Sequence, residues 1–94
     1  MNLWNLKKII NMKLLKFSAD WCHPCKIQSQ DFEKNPLSVP IQEIDIEDND
    51  ELVTRYKVSA LPTLVLLQNE TTVLKTWVGT TKATDIQAFI ESVN

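Results

Sequence analysis

Residues 17–25 read Phe-Ser-Ala-Asp-Trp-Cys-His-Pro-Cys and hold both cysteines of the chain, Cys22 and Cys25. An apolar run, residues 14–17, precedes the pair, and a polar run compatible with a helix, residues 26–33, follows it. A strand that ends at the cysteines and continues as a helix places Cys22 at the helix N-terminus. Unpaired backbone N–H groups and the helix dipole favour negative charge there. We therefore expect Cys22 to be more acidic than an ordinary cysteine, whose pKa is about 8.5.

The spacing of the two cysteines allows two chemical states. Positions three residues apart on a helix share one face and lie roughly 5–6 Å apart, which is within reach of a disulfide. The pair can therefore be a dithiol or a disulfide, with one sulfur more acidic than the other. A purely structural disulfide is disfavoured, because closing so short a loop stabilises a protein little.

Length and composition predict one α/β domain over residues 1–94. Hydrophobic residues make up 44% of the chain and charged residues 23%, as in globular proteins. The net charge of −2, without any basic run, argues against nucleic acid as a partner. Two cysteines are too few for a secreted disulfide scaffold. The single glycine, Gly79, excludes a glycine-rich phosphate loop.

The N-terminal residues suggest neither export nor membrane insertion. Lysines interrupt the apolar residues of the first fifteen positions, and no apolar run approaches membrane-spanning length. We expect a cytoplasmic monomer without a membrane partner. A membrane-surface helix at residues 2–11 is the alternative, and it is disfavoured because the segment is short and carries few cations. In a reducing compartment, a close cysteine pair favours catalysis or metal binding.

Hydrophobic periodicity and turn residues predict the order of helices and strands. Asn49 or Asp50 can cap a helix of roughly nine residues, Thr81 or Thr84 can cap the last helix, and Pro24 fits a first helical turn. The predicted helices are residues 2–11, 23–34, a segment beginning within 47–51, and about 82–92; the predicted strands are residues 13–18, 40–46, 63–67 and 72–78.

This order predicts the sheet topology. The first two strands flank a helix and must be parallel, with a right-handed crossover. The last two strands form a hairpin around residues 68–70. The expected fold is a four-stranded mixed sheet with helices on both faces, in which strand 40–46 is a possible exposed edge.

Three elements of the chain resemble the thioredoxin family. They are the run Phe17-Ser18-Ala19-Asp20-Trp21-Cys22-His23-Pro24-Cys25-Lys26, the element Leu61-Pro62-Thr63, and Val78-Gly79. Their order and spacing agree with the family from residue 13 to the end. The resemblance implies a thioredoxin fold whose N-terminal segment is shortened to residues 1–12.

The resemblance implies a role for each matching residue. Cys22 would be the exposed nucleophile that attacks a substrate disulfide, and Cys25 would resolve the mixed disulfide. Trp21 would pack beside the sulfurs and contact substrate. The Leu61–Pro62 peptide would be cis and would pair with an extended substrate segment, for which Gly79 would leave room.

The resemblance also implies partners and a direction of electron flow. The substrates would be protein disulfides, the electron donor would be a flavoprotein thioredoxin reductase, and no cofactor would be needed beyond the redox-active disulfide Cys22–Cys25. A cytoplasmic protein would be a reductase. A more oxidising disulfide oxidase or isomerase is an alternative.

His23 departs from the family, which usually has glycine between its first cysteine and the proline. An imidazolium beside Cys22 would stabilise the thiolate and, with Pro24, tune the pair. A more stable thiolate favours the reduced protein and makes the disulfide form more oxidising. The alternative is a solvated His23 that has little influence.

Lys16 and Glu43 are a second departure. Thioredoxins usually carry a buried aspartate six positions before the first cysteine, paired with a lysine on the neighbouring strand. This chain has Lys16 at the first position and Glu43 at the second, so the charges are exchanged. The apolar residues around Lys16 predict a fully buried strand and hence a buried pair. The alternative is that Lys16 extends along the surface to solvent.

The exchange affects the proposed chemistry. The family aspartate is thought to help deprotonate the resolving cysteine, and a protonated Lys16 cannot accept that proton. Glu43, or a neutral Lys16, would have to do so.

Two other classes of function compete with disulfide exchange. A structural zinc site needs four ligands, whereas the cysteine pair and His23 offer three, so no metal is expected. A binding module without redox turnover is the other class, for which Trp4, Trp21 and Trp77 would supply an adhesive surface. We expect Trp4 and Trp77 to pack within the fold instead.

Overall fold

The fold is known from a computed structural model, which describes residues 11–93. Within that range the chain forms four strands and three helices in the predicted order. In chain order they are β1 (Lys13–Ser18), α1 (His23–Lys34), β2 (Ile41–Asp45), α2 (Asp50–Arg55), β3 (Thr63–Asn69), β4 (Thr72–Val78) and α3 (Ala83–Ser92). The predicted helix at residues 2–11 lies almost wholly outside the described residues, and so does Trp4.

The four strands form one mixed sheet, as predicted, and the structure gives their order as β2-β1-β3-β4. β1 pairs with β2 in parallel, while β1 with β3 and β3 with β4 are antiparallel. The register sets Lys16 opposite Glu43 on the neighbouring parallel strand. Within residues 11–93, β2 is an edge strand.

Strand alternation divides the core into two layers. Leu14 on β1 contributes to the layer that includes Phe32 of α1 and Ile86 of α3. Leu15 and Phe17 face the opposite layer, against α2. Lys16 has the same parity as Leu14, so its side chain points toward α1. Trp77 packs edge-on against Phe89 of α3, with ring centroids 5.7 Å apart.

The helix α2 differs from its prediction. It contains six residues rather than about nine. Asn49 is its N-cap residue, but its side chain makes no capping hydrogen bond; Nδ2 donates instead to the carbonyl of Asp45 at 2.9 Å. The chain leaves the helix early because Tyr56 is its C-cap and Lys57 has a left-handed φ of 54°.

The N-terminus of α3 is capped by the side chain of Asp31, a distant residue, and not by one of the predicted threonines. Neither Thr81 nor Thr84 is the N-cap; Lys82 holds that position without a side-chain capping bond. The first helical N–H, that of Ala83, donates to Asp31 Oδ2 at 2.7 Å. The expected threonine cap is therefore replaced by a carboxylate of α1, 52 residues away in sequence.

Candidate active site

The helix α1 begins directly after Cys22, as predicted. Cys22 is its N-cap residue with extended backbone, and Cys22 Sγ accepts a hydrogen bond from the Cys25 N–H at 3.2 Å. Pro24 lies in the first turn, where its missing N–H leaves no helical bond unmade. A sulfur that already accepts a helix N–H is well placed to carry negative charge.

Cys22 and Cys25 are joined by a disulfide, with Cα atoms 5.3 Å apart. This separation is the one expected for positions three apart on a helix. The structure therefore shows the oxidised state of the pair.

The burial of Cys22 corrects one expectation. The resemblance implied an exposed nucleophile, but Cys22 is only 5% exposed and Cys25 only 3%. Ala19 is buried with the two cysteines, and Ile46 and Leu61 pack against them. A reagent must therefore reach Cys22 along the groove beside it.

That groove, the active-site groove, has a volume of about 580 Å³. Its walls come from the residues before and within the first turn of α1 and from the loops that follow β2 and α2; they include Trp21, Cys22, His23, Val58, Ala60 and Leu61. The lining is mostly apolar, which suits an extended peptide segment with apolar side chains. His23 is exposed at its rim.

Trp21 is 68% exposed beside the disulfide. Its Nε1–H donates to Glu47 Oε1 at 2.8 Å, which fixes the orientation of the indole. The sequence did not predict this contact. Glu47 belongs to an acidic run that predicts only a helix start, and no local pattern links it to a tryptophan 26 residues earlier.

The peptide between Leu61 and Pro62 is cis, as the resemblance implied. The carbonyl of Pro62 accepts a hydrogen bond from the Gly79 N–H at 2.8 Å. Gly79 has a φ of +89°, which favours glycine. A Cβ added at Gly79 would meet no atom within 4 Å, so the outer side of this residue is open.

Lys16 and Glu43 form the expected ion pair, with Lys16 Nζ 2.8 Å from Glu43 Oε1. The side chain of Lys16 is 2% exposed, so it does not extend to solvent, but that of Glu43 is 58% exposed. The prediction of a buried pair is therefore confirmed for Lys16 and wrong for Glu43. The physical reason is that Glu43 lies on an edge strand, whereas Lys16 lies on a central one.

Two serines complete the contacts of this pair. Lys16 Nζ also donates to Ser29 Oγ, and Ser18 Oγ donates to Glu43 Oε1 at 2.8 Å. Ser29 was not among the predicted site residues, although its position four residues after Cys25 places it on the same face of α1. A cleft of about 270 Å³ is lined by both members of the pair, by both serines and by Cys25. We call Lys16, Glu43, Ser18 and Ser29 the polar cluster; it shares this cleft with Cys25.

Residues 11–93 hold neither a metal-binding cluster nor a membrane-spanning helix. That range contains no group of three or more His, Cys, Asp or Glu side chains arranged to hold a metal ion. Between the same residues, each helix is too short or too polar to cross a membrane.

Comparisons with known proteins agree with this geometry. The thioredoxin family model matches residues 4–92. The mitochondrial thioredoxin of Mus musculus is 33% identical over 84 residues, which cover 85% of this chain and 50% of that protein. The thioredoxin of Buchnera aphidicola is 31% identical over 96 residues, covering 94% of this chain and 88% of the relative.

Solved structures show the same fold. A mutant thioredoxin from Halobacterium salinarum superposes with a TM-score of 0.77 at 28% identity, covering 94% of this chain and 79% of that one. The chain spans about half the length of the first curated relatives that it matches. Because those relatives include mitochondrial proteins, the cytoplasmic location stays a prediction. With a family model over nearly its whole length, a matching fold and a cysteine pair bonded at a helix N-terminus, the chain belongs to the thioredoxin family.

Proposed function

We propose that this chain reduces protein disulfides by thiol–disulfide exchange through Cys22 and Cys25. The observation that carries the proposal is the placement of the pair at the N-terminus of α1, beside an apolar groove that Leu61 also lines. Family membership supports the same reaction. The groove supplies a place for the substrate chain, and the helix N-terminus favours the thiolate that attacks it.

The reaction takes two steps and moves two electrons. The Cys22 thiolate attacks one sulfur of a substrate disulfide, the substrate S–S bond breaks, and its other sulfur leaves as a thiolate that takes up a proton. The Cys25 thiolate then attacks Cys22 Sγ in the mixed disulfide. The substrate's second sulfur leaves as a thiolate that takes up a proton, and the Cys22–Cys25 disulfide forms. A flavoprotein thioredoxin reductase would return two electrons to this disulfide.

The polar cluster is proposed to serve the second step, in which Cys25 attacks the mixed disulfide. Cys25 must lose its proton before it can attack, and the Glu43 carboxylate lines the same cleft as Cys25. Glu43 is therefore the base that we assign to this step. Lys16 holds that carboxylate in place at 2.8 Å, and its ammonium favours a nearby thiolate electrostatically.

Insulin reduction with dithiothreitol or a thioredoxin reductase as donor tests the proposed function. Wild-type protein should precipitate the insulin B chain, and Cys22→Ser should abolish this activity because it removes the sulfur at the helix N-terminus and leaves only Cys25, which is 3% exposed. Cys25→Ser should accumulate a mixed disulfide with substrate, which mass spectrometry detects. A wild-type protein that does not reduce insulin would favour a binding module without redox turnover. A Cys22→Ser variant that retains the protein's full activity in the cell would favour it too.

The reduction potential of the Cys22–Cys25 pair is proposed to be higher than that of a family member with glycine in place of His23. Lys16 is a buried cation beside Cys25, and His23 lies at the first turn of the same helix. A cation stabilises a thiolate, whether it is the ammonium of Lys16 or the protonated imidazole of His23, and stabilised thiolates raise the reduction potential. Equilibration of the Cys22–Cys25 pair with glutathione buffers measures that potential directly.

A further inference from the structure

Gln28 is a fully buried polar residue that the proposed chemistry does not use. It lies three residues after Cys25 on the same face of α1 and is 0% exposed. Its Oε1 accepts a hydrogen bond from the Thr81 N–H, and its Nε2 donates to the Thr81 carbonyl, each at 2.8 Å. The side-chain amide therefore pairs with both backbone groups of one residue, as a neighbouring strand would.

The partner residue lies in a segment without regular secondary structure. Residues 80–82 follow β4 and precede α3. One turn further along α1, Asp31 Oδ2 accepts the Ala83 N–H at 2.7 Å. The helix that starts at the cysteines thus binds this segment at Thr81 and binds the first residue of the helix that follows it.

The held segment is bonded to the cis-proline loop. Thr81 Oγ1 donates to the Gly79 carbonyl at 3.1 Å, and the Gly79 N–H donates to the Pro62 carbonyl at 2.8 Å. We call the backbone of Pro62, Gly79 and Thr81 the docking ledge. Its outer side is open at Gly79, and the neighbouring Val78 is 66% exposed. A chain of hydrogen bonds therefore runs from α1 through Gln28 to the ledge beside the cysteines.

We propose that Gln28 is a positioning residue that holds the docking ledge at a fixed place relative to the Cys22–Cys25 pair. The inference rests on the proposed function, in which an extended protein substrate pairs with this ledge. A ledge that is already ordered spares the substrate the entropic cost of ordering it on binding. A small disulfide needs only access to Cys22 and makes no use of the ledge.

The variant Gln28→Met tests this role, because it keeps the length of the side chain and removes both hydrogen bonds. We expect its KM for insulin to rise about tenfold with kcat nearly unchanged, the pattern of a lost binding interaction. Its rate with a small aromatic disulfide should stay within about twofold of wild type, since the thiols and their helix are untouched.

Gln87→Met is the matched control. Gln87 also sits on a helix and holds a loop residue, accepting the Ser38 N–H and donating to Ser38 Oγ, each at 2.9 Å. Ser38 follows the C-terminal end of α1, away from the cysteines. This variant should leave the KM for insulin and the rate with the small aromatic disulfide unchanged. An equal rise of KM in both variants would overturn a specific role for Gln28.

Hydrogen exchange tests the inference without any variant. The Thr81 amide of the wild-type protein should exchange as slowly as amides of β3, because it is bonded to a buried oxygen. The two possible failures are separable. A wild-type protein that does not reduce insulin refutes the proposed function. An active wild-type protein with a rapidly exchanging Thr81 amide, or a Gln28→Met variant whose KM is unchanged or whose reactions with insulin and the small disulfide slow equally, overturns the role of Gln28.

Discussion

The Lys16–Glu43 pair predicts an asymmetric response to neutralising its two members. In Lys16→Met a side chain of similar length replaces a buried ammonium, and Glu43 stays solvated because it is 58% exposed. In Glu43→Gln the ammonium stays 2% exposed but loses its counter-charge. The second change should therefore destabilise the fold more than the first, because an unpaired buried charge is costly.

The separation of the charges sets the size of the effect. Two unit charges 2.8 Å apart interact by about 1.5 kcal/mol in water and about 6 kcal/mol at an effective dielectric constant of 20. The exposure of Glu43 moves this pair toward the lower value. The amide of a glutamine can still accept hydrogen bonds from Lys16 and Ser18, so only the charge is lost. We expect Glu43→Gln to lower the free energy of unfolding by about 1–2 kcal/mol.

Urea unfolding of the single and double variants measures the coupling. In the Lys16→Met background Glu43→Gln should cost less than about 0.5 kcal/mol, so the cycle should show a coupling of about 1–2 kcal/mol. Lys13→Met, on the same strand, is the control, since Lys13 donates to the neutral amide of Gln42 and forms no ion pair with any other residue of the range 11–93. If Glu43→Gln costs the same with and without Lys16, the two charges do not interact, and Lys16 does not hold the Glu43 carboxylate in place.

Three further predictions concern Gly79, His23 and the contact between Glu47 and Trp21. Gly79→Ala should lower the unfolding free energy by about 1–2 kcal/mol through backbone strain alone, because φ is +89° and the added methyl meets nothing; an unchanged Tm would contradict this. His23→Gly should lower the reduction potential by on the order of 10–30 mV, measured against glutathione, and no decrease would leave His23 without influence. Glu47→Ala should free the Trp21 indole, alter its fluorescence and raise the KM for insulin several-fold, while Asp48→Ala should do neither; equal effects of the two changes would point to general charge instead.

The parts of the site that the sequence predicted are those set by local backbone geometry. A strand followed by Cys-His-Pro-Cys and a polar helix places Cys22 at the N-terminus of that helix, independently of the rest of the fold. Two other predictions followed only from the family resemblance. Alternation along β1 gives the face of Lys16 but not the register of the neighbouring strand, which the structure sets so that Lys16 lies opposite Glu43. The cis peptide at Pro62 likewise has no local pattern that distinguishes it from a trans peptide.

The parts that the sequence did not predict depend on contacts between distant residues. Asp31 caps a helix 52 residues later, and Gln28 bonds a loop 53 residues later. Cys22 is buried because Ile46 and Leu61 pack over it, and neither is near it in the chain. Such contacts leave no mark on the hydrophobic pattern, since a polar side chain that is satisfied by a distant backbone group looks the same as one that is solvated.

The helix α1 nevertheless carries a readable trace of these contacts. Cys25, Gln28 and Phe32 lie at positions i, i+3 and i+7, which is the spacing of one buried face, and all three are buried. A glutamine on a buried face needs partners for its amide. A segment of backbone without a strand neighbour can supply them, as Thr81 does here. The polarity of residues 26–33 therefore has two origins: Lys26, Gln30 and Glu33 face solvent, whereas Gln28, Ser29 and Asp31 bind groups elsewhere in the fold. The helix that presents the cysteines is thereby bonded to two parts of the site. Ser29 connects it to Lys16 of the polar cluster, and Gln28 connects it to Thr81 of the docking ledge.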